Sequence, residues 1–351
     1  MRVLIVGAGA VGSFLGWAVA AGGGHVTLVR RGQPAAPAVP LSLARADGAD
    51  PADPAREPVE VAAVPSVEAA AAAPVGPDLV IVAVRQYDLA AALESLRALP
   101  GTPVLTAQNG VGAEDAALAA RPGVPLVAAS VTASVERDPD GTLRWLRRGG
   151  VGLAPLGAGA GGPLTELAAI LRRAGIRVVV RRDAAAMKWS KLVANLVGNA
   201  TSGLLDLEPR AVYGDPRLFA LEQAQLREAL AVMRALGLRP VNLPGAPVRL
   251  LAVAIGLPAP LSRAILRRVV GSARGGKDPS LRGAVAAGGT TEVGWLNGAV
   301  ARAGAEAGVP TPVNAALARL VADAATDNDR RAWFRHRPDR LLAEVGHDAD
   351  A

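Results

Sequence analysis

The chain opens with Arg2-Val3-Leu4-Ile5-Val6-Gly7-Ala8-Gly9-Ala10-Val11-Gly12, and this stretch decides the fold. Its apolar first half is typical of a strand buried on both faces of a parallel sheet. The small residues up to Ala21 predict a buried helix directly after the glycines, and His25–Val29 predicts the next strand. A strand, a glycine turn, a helix and a second strand together predict the start of a doubly wound α/β sheet.

The turn Gly7-Ala8-Gly9-Ala10-Val11-Gly12 has the spacing of a dinucleotide-binding turn. Gly7 allows the tight turn, Gly9 lets backbone amides approach a pyrophosphate, and Gly12 lets the helix pack closely on the strand. The N-terminus of the helix then faces the phosphates. The spacing alone is weak evidence in a glycine-rich chain, but its place between a strand and a helix favours a binding turn over a structural one.

The end of the second predicted strand indicates which dinucleotide is bound. An NAD site usually places Asp or Glu there, where the carboxylate binds the ribose hydroxyls. This chain has Arg30 and Arg31 instead. Either arginine suits a 2′-phosphate, so the sequence predicts NADPH as the cofactor. The alternative, that two arginines are incidental in a chain with so many, stays open.

Strand and helix patterns alternate as far as Asp183 and become purely helical beyond it. Strands are predicted in Leu41–Ala46, Val59–Val64, Asp78–Val84, Pro103–Ala107, Val124–Val131, Leu143–Leu153 and Arg177–Val180, with helices in Asp88–Leu99 and Leu164–Ala174. The later helices are predicted in Ala186–Leu205, Pro216–Leu236, Thr290–Ala307 and Asn314–Ala325. The predicted architecture is a Rossmann-type doubly wound sheet in residues 1–182 and an all-α domain in residues 183–325. Residues 326–351 are expected to be a loosely attached charged tail, with Trp333 and Phe334 as anchors.

The composition excludes several kinds of site. The chain has no cysteine, which excludes disulfides, thiolate nucleophiles and zinc–thiolate sites and fits a cytoplasmic protein. No metal site is predicted. The net charge of +7 could suit nucleic acid, but the arginines are scattered among acids, which favours a generic basic surface or a small anionic ligand. The nearly uncharged segment Val3–Val26 contains too many glycines to predict a membrane span.

Lysine is rare in this chain, which has three lysines, Lys188, Lys191 and Lys277, against 35 arginines. A lysine that persists in such a composition indicates a place where a compact ammonium able to lose a proton is needed. Lys191, Asn195 and Asn199 are spaced four apart on a predicted helix and would therefore point the same way. A buried polar stripe of this kind needs a polar partner, whereas an exposed one is an ordinary solvent-facing side. From these residues alone both interpretations stay open.

Five features occur in an order that is similar to one known family. They are the glycine turn, Gln108-Asn109-Gly110-Val111-Gly112, Lys191-x-x-x-Asn195-x-x-x-Asn199, Ser280 and Thr291-Glu292-Val293-Gly294-Trp295-Leu296-Asn297-Gly298. The chain resembles the ketopantoate reductase (2-dehydropantoate 2-reductase) family from Met1 to about Leu320. The resemblance implies NADPH-dependent reduction of a 2-oxo acid to a 2-hydroxy acid in a cleft between two domains. The reaction it implies is ketopantoate to (R)-pantoate, a step of pantothenate and coenzyme A synthesis.

The resemblance also implies two catalytic residues. Lys191 matches the catalytic lysine, which contacts the substrate and donates to its carbonyl oxygen as hydride arrives at the carbon. The chemistry agrees, because an ammonium both stabilises the charge that builds on this oxygen and can supply the proton. Glu292 matches a glutamate near the lysine and the nicotinamide ribose, where it could hold the ammonium or tune its pKa. The alternative for Glu292 is an exposed helix residue.

The remaining site residues are expected to bind substrate or cofactor. Asn195 and Asn199 match substrate-binding asparagines, whose amides can donate to a carboxylate or hydroxyl. Ser280 matches a serine that holds the substrate carboxylate, and it could also cap the helix that follows. Asn109 matches a residue at the junction of cofactor and substrate. Arg85 takes the place where the family usually has a lysine that contacts the cofactor.

Departures from the family leave the substrate open. Besides Arg85, the run Leu281-Arg282-Gly283-Ala284 differs from the family pattern, and Arg282 is either a second cation for an acidic substrate or a solvent-facing residue. The added apolar segment Leu243–Leu261 has two open roles, a cover over the cleft or the contact of a homodimer. The expected partner is a small 2-oxo acid, without nucleic acid or membrane. One alternative is a reductase of the same class with another 2-oxo acid, and another is a non-catalytic NADP-binding regulator or a basic nucleic-acid binder.

Overall fold

The computed structural model describes residues 1–45, 58–147, 149–273 and 279–346. Lys277, Ala46 of one predicted strand and the last five residues of the predicted tail lie outside this part. The chain forms two units. The first holds the described parts of Met1–Gln108 and Gly112–Lys188 together with Leu243–Ala246. The second holds Asn109–Val111, Trp189–Asn242 and the described part of Pro247–Ala351. The main change of unit therefore follows Lys188, near the predicted boundary at Asp183.

The first unit contains the strands and the early helices of the described chain. The strands are β1 Arg2–Val6, β2 His25–Val29, β3 Ala36–Leu41, β4 Leu43–Arg45, β5 Val59–Val64, β6 Leu79–Val82, β7 Val104–Thr106, β8 Leu126–Val131, β9 Ser134–Arg137, β10 Leu143–Arg147, β11 Val151–Leu156 and β12 Val178–Val180. The helices are α1 Ala10–Ala21, α2 Val67–Ala71, α3 Leu89–Ser95, α4 Ala113–Ala120 and α5 Gly161–Arg173.

The remaining α-helices of the described chain follow β12. They are α6 Ala184–Leu196, which begins in the first unit, and then α7 Asn199–Leu205, α8 Pro209–Gly214, α9 Pro216–Ala235, α10 Val248–Gly256, α11 Ala259–Ala273, α12 Ser280–Ala287, α13 Asn297–Glu306, α14 Pro312–Thr326, α15 Asn328–Phe334 and α16 Pro338–Val345.

Nine of the described strands form one sheet in the order β12-β11-β8-β7-β6-β1-β2-β5-β3. Strands β8, β7, β6, β1, β2 and β5 run parallel, whereas β11 and β3 pair antiparallel with their neighbours β8 and β5. Successive residues of β1 point to opposite faces. Val3 and Ile5 pack with residues of α1 and α5, and Leu4 and Val6 pack with residues of α3 and α4. The predicted Rossmann-type sheet and all-α second part are confirmed.

The predicted strand Leu143–Leu153 is two strands in two different sheets. β10 lies in a small sheet of described strands ordered β4-β10-β9, whereas β11 joins the large sheet. Gly149 and Gly150 lie between them. A Cβ at Gly149 would be 2.3 Å from the carbonyl of Thr132, and one at Gly150 would be 2.1 Å from a backbone oxygen. The prediction of one strand is wrong because this close backbone packing leaves no signal in the apolar periodicity.

The predicted helix Ala186–Leu205 is interrupted at Val197 and Gly198, between α6 and α7. Gly198 has a left-handed φ of 61°, which glycine adopts at little cost. Its N–H donates to Oε2 of buried Glu222 on α9 at 2.6 Å instead of bonding within a helix. The prediction of one continuous helix is therefore wrong, and Asn199 begins α7 rather than following Asn195 along one face.

The predicted helix Thr290–Ala307 also has an irregular start. Glu292–Trp295 forms a 3₁₀ turn, and α13 begins only at Asn297. The hydroxyl of Thr291 accepts from the N–H of Val293 and so begins the turn. The helical prediction therefore holds from Asn297, while Glu292 lies in the tighter turn before it.

The expectation of a loosely attached tail is wrong for residues 328–345, which form α15 and α16. Phe334 and Leu341 are fully buried in the second unit. The N–H of His336 donates to the carbonyl of Leu205 at 2.9 Å, and Arg335 pairs with Asp206 at 3.0 Å. The many charges of this segment misled the prediction, because they lie on the outer faces of two amphipathic helices.

Candidate active site

The glycine turn after β1 is closed on one side and open on the other. A Cβ at Gly7 would lie 2.7 Å from the carbonyl carbon of Ala83, and one at Gly12 would lie 1.9 Å from the oxygen of Gly7. A Cβ at Gly9 would meet no described atom within 4 Å. Gly7 and Gly12 are therefore required by close packing, while the backbone at Gly9 can be approached from outside. This arrangement fits the diphosphate of a dinucleotide.

A cavity of about 610 Å³ lies over the glycine turn in the first unit. This volume is in the usual range for a small-molecule site. The described residues that line it come from the ends of β1, β2 and β6 and from the turn after β9. They are Val6, Gly7, Ala8, Val29, Arg30, Arg31, Gln33, Val84, Arg137, Asp138, Pro139, Asp140 and Gly141. The structure thus brings Arg30 and Arg31 into one cavity with the glycine turn.

The hairpin between β9 and β10 supplies cavity residues that the sequence analysis missed. Arg137 donates from Nη1 to the carbonyl oxygen of Ala8 at 2.8 Å, so its guanidinium lies against the glycine turn. Asp138 is paired with Arg144 at 3.0 Å. The run Asp138-Pro139-Asp140-Gly141 is a recognisable turn sequence that could have revealed this hairpin. Its closeness to Gly7–Gly12 is a tertiary feature without a local signal.

Arg85 follows β6 at the same end of the sheet. It precedes the 3₁₀ turn Gln86–Asp88 and is exposed. Its neighbour Val84 belongs to the described wall of the cavity, whereas Arg85 does not. A long arginine side chain at this edge can reach a ligand that extends beyond the cavity.

Asn109 and Gly110 pack within the second unit, beside the turn that carries Glu292. Asn195 donates from Nδ2 to Oδ1 of Asn109 at 3.4 Å, a long hydrogen bond. A Cβ at Gly110 would lie 2.3 Å from the carbonyl oxygen of Trp295, so only glycine fits. The structure therefore gathers Asn195, Asn109 and the Glu292–Trp295 turn in one unit.

Lys191 and Asn195 are half-buried on α6, whereas Asn199 is buried at the start of α7. Asn199 accepts from the N–H of Leu281 at 3.0 Å and donates from Nδ2 to Oγ of Ser280 at 3.3 Å. Helix α12 begins at Ser280 with Pro279 as the residue before it, so Ser280 is not the helix cap. The amide of Asn199 satisfies the start of α12 and holds Ser280, which leaves the Ser280 hydroxyl hydrogen for a ligand.

Glu292 is buried, with an exposed fraction of 7%, so it is not the surface residue of the alternative interpretation. Asn297, five residues later, donates from Nδ2 to Gln225 at 2.9 Å and to Asn314 at 3.0 Å. These bonds tie the start of α13 to α9 and α14. The asparagine of this motif therefore fixes the backbone that follows the turn, and Glu292 is the residue of the turn that offers a charge.

Lys188 is buried, unlike the half-buried Lys191, and the sequence analysis did not assign it to a site. Its Nζ donates to the carbonyl oxygen of Gln108 at 2.7 Å and pairs with Glu114 at 3.1 Å. The same carboxylate accepts from the hydroxyl of Thr106 at 2.7 Å. All four residues belong to the first unit. The rarity of lysine was a usable signal for this residue as well.

The structure also places Arg282 and the apolar segment Leu243–Leu261, whose roles the sequence left open. Arg282 pairs with Asp206 at 2.9 Å, and this hydrogen bond holds the pKa of the Asp206 carboxyl below its usual value. In the apolar segment, Leu250 and Val253 on α10 are exposed, and so is Leu261 on α11. No helix in the described ranges is both long and apolar enough to cross a membrane.

A cavity over a glycine turn in a Rossmann-type unit, with a lysine, asparagines and a buried glutamate in a helical unit, is typical of a nicotinamide-dependent oxidoreductase, and the relatives below are of this class. Two family models match the chain. Ketopantoate reductase PanE/ApbA matches residues 3–158, and ketopantoate reductase PanE/ApbA C terminal matches residues 183–325. The chain belongs to the ketopantoate reductase family.

Individual relatives agree with this assignment. The chain is 35% identical to 2-dehydropantoate 2-reductase of Pyrobaculum aerophilum over 244 residues, which cover 69% of this chain and 75% of the relative. A ketopantoate reductase structure from Ralstonia eutropha matches with a TM-score of 0.73 and 26% identity, covering 95% of this chain and all of that one. A D-mandelate dehydrogenase solved with NADH and anilino(oxo)acetate has a TM-score of 0.72 at 20% identity, covers 95% and 99% of the two chains, and shares the fold.

Proposed function

We propose that this protein reduces 2-dehydropantoate (ketopantoate) to (R)-pantoate with NADPH, as a step of pantothenate and coenzyme A synthesis. The observation that carries this proposal is the grouping of Asn195 with Asn109 and the Glu292 turn. Asn195 lies on the same helix as Lys191. A chain of this family with that grouping has the groups needed to bind and protonate a keto oxygen.

The first unit would hold the cofactor. Backbone amides of Gly7–Gly12 would bind the diphosphate, and the Arg137 guanidinium, which contacts Ala8, would add positive charge. Arg30 and Arg31 favour a 2′-phosphate, because a guanidinium pairs well with phosphate oxygens. We also assign Arg85, Asn109 and Glu292 to cofactor binding. Bound NADPH supplies the hydride.

Lys191 acts as the acid of the reaction. Its Nζ donates a hydrogen bond to the keto oxygen, where negative charge collects as the C=O bond becomes single. The Nζ proton then moves to that oxygen, which leaves a 2-hydroxy acid and a neutral amine that water reprotonates. The carboxylate of Glu292 favours the charged ammonium before the transfer and so keeps it ready to donate.

The second unit would hold the substrate. Ser280 accepts from Asn199, so its own O–H can donate to the substrate carboxylate. Asn195 can donate to a hydroxyl or carboxylate oxygen while it remains near Asn109. These contacts select a 2-oxo acid, because they combine carboxylate donors with an acid at the adjacent carbonyl.

A second candidate is the same reaction on a different 2-oxo acid. The observation that favours it is Arg282, which is paired with Asp206 in a run that departs from the family pattern. A change next to Ser280 would alter the protein surface that contacts the side chain of the 2-oxo acid, without altering the hydride chemistry.

A panel of 2-oxo acids assayed with NADPH and NADH tests this proposal. We expect oxidation of NADPH with ketopantoate at a higher kcat/KM than with pyruvate, 2-oxoisovalerate or phenylglyoxylate. A higher kcat/KM for another 2-oxo acid would favour the second candidate. Tight NADPH binding without turnover of any 2-oxo acid would contradict both candidates and favour a non-catalytic NADP-binding protein.

A further inference from the structure

Glu222 of α9 is a fully buried carboxylate that takes no part in the proposed chemistry. It accepts from the N–H of Gly198 at 2.6 Å, from the hydroxyl of Thr201 at 2.6 Å and from the hydroxyl of Tyr213 at 3.0 Å. These donors come from the α6–α7 break, from α7 and from α8. Burial raises the pKa of Glu222, while hydrogen bonds from these three donors and from Gln225 oppose that shift. Burial of a carboxyl group costs free energy, so a structural role should explain why Glu222 is buried among these donors.

The α6–α7 break, whose Gly198 N–H donates to Glu222, separates Asn195 from Asn199. Both asparagines are expected to bind substrate. In an uninterrupted helix the Gly198 N–H would bond to the carbonyl four residues earlier, and Asn199 would lie one turn beyond Asn195 on the same side. In the structure the carboxylate takes that N–H, and the chain turns through a left-handed Gly198. A buried carboxylate is a strong acceptor, so it can replace the lost helical bond.

The consequence is that the two asparagines have different partners. Asn195 bonds to Asn109, whereas Asn199 bonds to Ser280 and to the N–H of Leu281. A single straight helix would direct both side chains to one side. The break instead directs Asn199 toward α12, where it holds Ser280.

We propose that Glu222 is a positioning residue for substrate binding, which fixes the α6–α7 break and thereby sets Asn199 and Ser280 relative to Asn195. This inference rests on the proposed function. It assigns a role to a residue on α9 that touches neither substrate nor cofactor, through Gly198, Thr201 and Tyr213.

The test compares Glu222→Leu with Glu222→Gln. Leucine leaves the Gly198 N–H without an acceptor, and we expect KM for the 2-oxo acid to rise about tenfold to a hundredfold because the asparagines are misplaced. The glutamine retains an oxygen for Gly198, and its NH₂ can donate to Thr201, so KM should stay within about twofold of wild type. The Kd for NADPH, measured by fluorescence titration, should be unchanged in both variants.

Met233→Ala is the matched control, because Met233 is also fully buried on α9. It lies eleven residues from Glu222 and therefore about 16 Å along the helix. We expect it to lower Tm without a change in KM. A rise in KM as large as that of Glu222→Leu would show that loss of stability alone causes the effect, and would overturn the inference.

Hydrogen exchange of the Gly198 amide gives a readout independent of turnover. We expect faster exchange in Glu222→Leu than in wild type, and exchange at the wild-type rate in Met233→Ala.

If wild type reduces a 2-oxo acid but KM is unchanged in Glu222→Leu, the inference fails and the proposed function stands. If wild type reduces no 2-oxo acid, the proposed function fails, and with it the substrate-positioning role. If Glu222→Leu does not fold, Tyr213→Phe and Thr201→Val each remove one donor; an unchanged KM and Gly198 exchange rate in both would also overturn the inference.

Discussion

Lys191 is half-buried on α6 and carries the proposed proton transfer. We expect Lys191→Ala to lower kcat about 10²- to 10⁴-fold, since it removes the acid that protonates the keto oxygen. The Kd for NADPH should not change. Lys191→Arg retains the charge but holds its proton much more tightly, so its kcat should also remain low. Stopped-flow absorbance of NADPH measures both variants, and wild-type turnover in Lys191→Ala would refute the assignment.

Arg30 and Arg31 are expected to select the phosphorylated dinucleotide. If either binds the 2′-phosphate, its replacement by alanine should weaken NADPH binding about tenfold to a hundredfold and leave NADH binding unchanged. Titrating both single variants with both nucleotides identifies which arginine is responsible.

Arg137→Ala is the control for these two variants. Arg137 contacts the glycine turn at Ala8, so its loss should weaken NADPH and NADH by the same factor. A selective loss of NADPH binding in Arg137→Ala, with no effect of Arg30 or Arg31, would move the phosphate site to the β9–β10 hairpin.

Lys188 should contribute to stability rather than to chemistry. Lys188→Met leaves the carboxylate of Glu114 buried without its cation, which typically costs about 3–5 kcal/mol. The double variant with Glu114→Gln should be more stable than Lys188→Met alone, because the glutamine is neutral and can still accept from Thr106. Urea unfolding curves measure the differences, and equal stability of wild type and Lys188→Met would contradict the role of the pair.

At the scale of elements, the α6–α7 break should make stability depend on pH through Glu222. The folded-state pKa of this carboxyl is raised above its usual 4.5 because it is buried. The folded state therefore binds more protons, and the stability that the protonated form contributes is present below pH 4.5 and is lost as pH rises toward the folded-state pKa.

Glu222→Gln has no titrating group at this position, so its stability should not fall with rising pH for this reason. We expect the free energy of unfolding of wild type to fall relative to Glu222→Gln as pH rises from about 4.5 to neutral. Urea unfolding at several pH values measures the difference. Parallel pH profiles of the two proteins would mean that folding does not raise the pKa of Glu222, and would contradict this prediction.

The elements show what the sequence could predict and where it stopped. The glycine turn and the apolar strands have local signatures, so the sheet and the turn that follows β1 were predictable. The α6–α7 break was not, because the acceptor for Gly198 comes from Glu222, 24 residues later in the chain. The spacing of Asn195 and Asn199 singled out both residues but gave the wrong geometry. The contact between the β9–β10 hairpin and the glycine turn was missed for the same reason, since Arg137 meets Ala8 across 129 residues.

At the scale of the whole molecule, α15 and α16 should be required for stability of the second unit. A chain that ends at Thr326 loses the buried side chains Phe334, Leu341 and Leu342. Each such side chain contributes about 1.5–3 kcal/mol when buried, offset in part by the cost of ordering the segment. We expect a lower Tm for the second unit while NADPH still binds. Calorimetry with and without NADPH measures this, and an unchanged Tm would restore the view of a dispensable tail.

The chain passes between the two units several times, since Asn109–Val111 belongs to the second and Leu243–Ala246 to the first. The late segment is part of the structure of the first unit, where the hydroxyl of Thr132 donates to the carbonyl of Pro244 and Leu243 is buried. Protein engineers who wish to exchange the cofactor preference between relatives therefore cannot join two halves at a single crossover point. A chimera must carry the four residues Leu243–Ala246 together with the rest of the first unit and leave Asn109–Val111 with its recipient.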